Sequence, residues 1–130
     1  MSIVVGYVAT PEGRAALDAA VAESRMRSLP VLLVASLGPD GDAGGRAALE
    51  DELAEVGRRL EAEGVPHEVR VMEGGDVADD LISTAESTGA ALVVLGLRRR
   101  SPVGKLILGV NAQRVLFDAP CPVLTAKPSA

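Results

Sequence analysis

Between Gly96 and Gly109 the sequence carries its densest cluster of cationic side chains, Arg98, Arg99, Arg100 and Lys105. Guanidinium groups hold phosphates through paired, charge-assisted hydrogen bonds. Glycine lets a backbone approach a ligand closely or adopt positive φ. A helix begins directly after Gly109, and its free amides and the positive end of its dipole favour an anion there. The Asn111 side-chain amide adds a donor to that first turn. The chemistry these residues suit is phosphate binding. The competing reading is an exposed arginine loop that binds nothing.

Other constellations fall short of a mechanism. Gly104-Lys105 invites a Walker A reading, but Arg99 occupies the upstream glycine position and Leu106 replaces the Ser or Thr that would hold Mg²⁺. A receiver domain would need acidic residues where the first strand ends, and Val8-Ala9 stand there. His67 has no partner ligands in its segment, so a surface position is expected. Cys121 sits between prolines at a strand start and reads as a small buried hydrophobe. Asp76, Asp79 and Asp80 read as a cap followed by a solvated first helical turn. Ser24, Ser83 and Ser101 have no identifiable His-Asp arrangement, so neither catalytic residues nor metal ligands are expected, and the chain reads as a non-enzyme.

The elements that must position the loop are legible from periodicity. Ser2–Val8 and Val31–Leu37 are continuous apolar runs and read as buried strands. Thr10-Pro11 places a hydroxyl cap and a first-turn proline before a helix reaching about Arg27. Residues 38–45 are glycine-rich and read as a loop. Leu49, Leu53, Val56 and Leu60 form one helical face, closed by Gly64. His67–Met72 alternates like a strand near a sheet edge. Asp76 caps a third helix bearing Val77, Leu81, Ile82 and Ala85, with Gly89 beyond its end. Ala91–Leu95, Ala112–Asp118 and Pro122–Ala126 follow as strand, helix and strand. Strands and helices in this alternation predict one α/β domain over residues 1–130, an open parallel sheet with helices on both faces. Ligands then collect beyond the carboxyl ends of the strands, at the point where the winding reverses.

Composition narrows the partners. The 130 residues are 48% hydrophobic, which suits one globular core. Thirteen basic residues stand against 18 acidic ones, a net charge of −5 that disfavours nucleic acid and anionic membranes. Tyr7 and Phe117 are the sole aromatics, so there is no platform for stacking single-stranded bases. The single cysteine excludes an intrachain disulfide. No signal-peptide pattern or membrane-length apolar run is visible, and a cytoplasmic location is expected.

The stretch Val93 to Lys127 resembles the C-terminal signature of universal stress proteins, in which Gly-x2-Gly is followed after nine residues by Gly-Ser or Gly-Thr. Gly96 and Gly109 fall at the required distance, and Ala119-Pro120-Cys121-Pro122-Val123 matches the family's strand start. Gly6, Thr10 and Pro11 resemble its opening strand and turn, so the likeness spans the chain. The resemblance implies an adenine-nucleotide alpha-hydrolase-like fold, with sheet order 3-2-1-4-5. It further implies ATP or AMP at the switch point, with Mg²⁺ arriving only alongside the nucleotide and any hydrolysis slow and incidental. The base would rest near Gly6 and Val34, phosphate contacts would come from Gly96, Arg98, Arg99, Gly109, Val110 and Asn111, and Thr10 would belong to the same nucleotide-binding set. The family's frequent homodimer would form along Val123, Leu124, Thr125 and Ala126. Three positions depart from the pattern. Arg99 replaces the second glycine, Val110 the phosphate-binding hydroxyl, and Val8-Ala9 the Asp-Gly at the end of strand one. These departures favour the alternative, a regulatory dimer that acts through partner contacts without a nucleotide.

Overall fold

A computed structural model describes residues 1–37, 43–73, 76–97 and 110–128. The elements run β1 (Ile3–Gly6), α1 (Pro11–Arg27), β2 (Val31–Leu37), α2 (Ala43–Ala62), β3 (His67–Glu73), α3 (Val77–Thr88), β4 (Leu92–Gly96), α4 (Val110–Asp118) and β5 (Val123–Ala126). The strands form one parallel sheet, as their alternation with helices predicts, in the order β3-β2-β1-β4-β5 that the family resemblance implies. The winding reverses between β1 and β4, which puts the switch point beyond Gly6 and Gly96.

Strand alternation divides the core in two. Ile3, Val5, Val31, Leu33 and Val94 face α1 and α2 together with Leu17, Val56 and Leu60. Val4, Leu32, Val34, Val93 and Leu95 face α3 and α4 with Leu81, Ala85 and Val115. Burying one such aliphatic side chain stabilises the fold by about 1.5–3 kcal/mol, so this two-sided burial dominates the energetics.

The helix starts owe their positions to local chemistry. Thr10 Oγ1 accepts from the Gly13 amide at 3.2 Å, and Pro11 occupies the first turn of α1. Asp76 Oδ1 accepts from the Ala78 and Asp79 amides at 2.8 and 3.2 Å. Gly89 closes α3 at φ 62, a conformation that glycine adopts without strain.

Some boundaries differ from the sequence reading. β1 stops at Gly6 because the Val8 carbonyl turns to accept from the Thr10 amide at 2.9 Å. α2 begins at Ala43, within the segment read as loop, and α4 begins at Val110, a half-turn ahead of its apolar period. Asp80 is also not solvated. It is 8% exposed, because it lies on the face of α3 turned toward β2. Ser36 donates to its carboxylate at 2.8 Å. His67 is half-buried, and its Nδ1 donates to the Val65 carbonyl at 2.9 Å. Burial pushes the half-buried Cys121 thiol up, away from reactive thiolate.

Tyr7 ties the end of β1 to α2. Its buried hydroxyl donates to Glu52 Oε1 at 2.6 Å. Burial, then the bond and charge of Glu52, push the phenol up to about 12 from an ordinary 10.0. Because the folded value lies above the unfolded one, this contribution is complete below pH 10.0 and lost as pH rises toward about 12. Tyr7→Phe is therefore expected to cost about 1 kcal/mol at neutral pH. Urea melts of the two proteins should converge above pH 10.0, and parallel stability curves to the top of that window would contradict the assignment.

Among the described residues, no helix is long and apolar enough to cross a membrane.

Candidate functional site

Beyond the carboxyl ends of β1, β2 and β4 a cleft of about 160 Å³ opens between α3 and α4. Its floor is Gly6, Val34, Leu95 and Gly96, and its walls are Val77 and Leu81 of α3 and Ala112 and Val115 of α4. Tyr7, Val8 and Ser36 complete the lining. A cavity of about 150 Å³ lined by aliphatic side chains accommodates a benzene ring. The cleft thus has the size and polarity of a flat heterocycle, while a sugar or phosphate would have to lie at its mouth. Two hollows of about 300 Å³ lie at the other end of the sheet, around Pro30 and Pro66. They are larger, but they sit where the strands begin, away from the switch point at which parallel sheets hold ligands.

The glycines in the floor have distinct physical reasons. A Cβ on Gly6 would stand 3.0 Å from the tip of Leu81, so this position keeps the cleft open. A Cβ on Gly96 would stand 2.0 Å from the Glu12 carbonyl oxygen, so glycine here lets α1 pack against the end of β4.

The first turns of α1 and α3 spend amides on their own caps, Thr10 and Asp76. α4 opens at Val110, and its Ala112 lines the cleft, so the start of its dipole lies beside the mouth. Arg114 of α4 forms ion pairs with Asp76, at 3.3 Å, and with Asp79 of α3. This exposed clip joins the two helices that form the walls. It also raises the Arg114 pKa, chiefly through the hydrogen bond with Asp79.

The residues proposed from sequence separate clearly. Gly6, Val34 and Gly96 meet in the cleft. Thr10 is outside its lining, with its hydroxyl committed to the α1 cap. Arg98, Arg99, Arg100 and Gly109 lie outside the described residues, as do the side chains of Val110 and Asn111. Sequence reasoning missed Tyr7, Ser36, Leu95 and Val115 as lining residues. Their only signal was position, since each falls at the carboxyl end of a strand or in the helix following the loop.

Comparison with known proteins agrees with this geometry. The family model described as "Universal stress protein family" matches residues 1–127. A universal stress protein of Mycolicibacterium smegmatis is 41% identical over 126 residues, covering 97% of each chain. The structure of a universal stress protein from Archaeoglobus fulgidus superposes with a TM-score of 0.82, at 32% identity and 98% coverage of both chains. Another from that organism, solved in complex with dAMP, gives 0.76 at 26% identity, again over 98% of both chains. The sheet order, the cleft at its switch point and these matches along nearly the whole sequence lead to one conclusion: this chain belongs to the universal stress protein family.

Proposed function

We propose that the protein binds an adenine nucleotide, ATP or AMP, with the base in the cleft and the phosphates at the start of α4. The observation that carries this reading is the base-sized apolar slot at the switch point, bounded on one side by a helix N-terminus. The dAMP complex of the Archaeoglobus relative supports it. Gly6, Val34 and Leu81 would hold the base, and the backbone at Gly96 and Val110 would approach the sugar and phosphates. Mg²⁺ would arrive with the phosphates, since it keeps much of its own water shell. The reading is one of binding in the cytoplasm, with no residue assigned to catalysis. Calorimetry with AMP and ATP tests it. Saturable heat at micromolar to millimolar ligand is expected, and no heat with either nucleotide would refute the reading.

A second feature favours self-association. β5 is an edge strand with one partner, β4, and all four of its residues are half-buried and uncharged. The opposite edge, β3, carries His67, Glu68, Arg70 and Glu73, and charge on an edge blocks unwanted pairing. Phe117 of α4, near the start of β5 in the chain, is 84% exposed. We read β5 as the strand that pairs with its twin. Sedimentation at tens of micromolar should give a dimer, and Leu124→Lys should give a monomer. A wild-type monomer would remove this reading.

A further inference from the structure

We propose that Ser36, held by the buried Asp80 carboxylate, makes the cleft select a purine with an exocyclic amino group over one with a keto oxygen. This rests on the reading of the cleft as a nucleotide site.

The argument begins with the proton of one hydroxyl. Ser36 follows Leu32 and Val34 on the side of β2 that faces α3, and it lines the cleft. Its Oγ lies 2.8 Å from Asp80 Oδ2, and Asp80 is 8% exposed. A carboxylate has lone pairs and no proton to give, whereas a serine hydroxyl has a single proton. That proton is therefore committed to Asp80, and Oγ presents only lone pairs to anything entering the cleft. The other polar side chain in the described lining is Tyr7, whose hydroxyl is bonded to Glu52 on the opposite side of the sheet. Among the described residues, the side-chain polarity offered to a base is thus a single acceptor.

Charge sets the orientation in which a base meets it. The Asp80 carboxylate makes the β2 end of the cleft unfavourable for phosphate, while the start of α4 favours phosphate at the other end. The base then lies toward Ser36. An amino group donates to Oγ. A keto oxygen brings lone pairs against lone pairs and leaves both groups without their water, which is the arrangement that discriminates most strongly.

The test is calorimetry on the full chain with adenosine and inosine 5′-monophosphates, which differ in having an amino group or a keto oxygen at that ring position. The wild type is expected to prefer the adenosine form by about tenfold, the value of one hydrogen bond. Ser36→Ala should bring the ratio to within about twofold. Asp80→Asn should narrow it as well, because the new amide can donate to Oγ and free the hydroxyl proton to face the base. A purely structural Ser36–Asp80 contact would lower the melting temperature of both variants and leave the ratio intact, which overturns the proposal. The two changes disturb packing differently, so one folded variant suffices. A wild-type ratio near one overturns it without any variant. Binding of neither nucleotide refutes the nucleotide reading and this assignment together. Binding with an unaltered ratio refutes the assignment alone.

Discussion

Gly96→Ala is expected to lower the melting temperature by roughly 10 °C, from a loss of about 3 kcal/mol. The added Cβ would stand 2.0 Å from the Glu12 carbonyl oxygen and 2.5 Å from its carbon. Both are backbone atoms in the first turn of α1, so no side-chain rotation relieves the contact. Either α1 lifts from the end of β4 or the strand bends, and each movement uncovers part of the core that Leu17 and Val94 share. Gly13→Ala provides a comparison outside the cleft. Its Cβ would lie 1.8 Å from the Val8 carbonyl oxygen. Alanine improves helix propensity by about 1 kcal/mol, but the steric conflict is larger, so this change should also destabilise. Thermal melts of the two variants check both statements. An unchanged midpoint for either would mean that α1 can shift without cost.

Gly6→Val should separate binding from folding. Its Cβ would meet Leu81 Cδ1 at 3.0 Å, Leu81 Cδ2 at 3.4 Å and Leu95 Cδ2 at 3.5 Å. These are the mobile ends of flexible side chains, so they yield, and the space they yield into is the cleft. Valine is also a good strand former, which offsets part of the strain. We expect a stability change of about 1–2 kcal/mol at most, and a loss of AMP affinity exceeding about tenfold because the base no longer fits. Calorimetry paired with a thermal melt gives both numbers. Undiminished affinity in the folded variant would place the base elsewhere.

The parts of this structure legible in the sequence are those governed by short-range pattern. Val31–Leu37 reads as a buried parallel strand because both of its faces are apolar. Thr10, Asp76 and Gly89 mark helix ends because their capping chemistry is local. Contacts set by distant packing were not legible. Asp80 follows a cap in a helical first turn, and nothing nearby reveals that Ser36, 44 positions earlier, lies across from it. Tyr7 and Glu52 are separated by 45 positions, and only the docking of α2 on the sheet brings them together. Gly96 was singled out for ligand approach, and it does line the cleft. Its tightest contact, however, is with α1, a reason that no spacing rule contains. Thr10 was legible as the α1 cap, where its Oγ1 accepts from the Gly13 amide, whereas its place outside the lining of the cleft is set by packing that no local pattern shows.

The most direct test of the account is to map where AMP meets the protein, by following backbone amide shifts in NMR during a titration. The account predicts that the shifts gather on Gly6, Val34, Ser36 and Leu81 and on the first turn of α4. Shifts clustered instead around Pro30 and Pro66 at the far end of the sheet, or none at millimolar AMP, would contradict it.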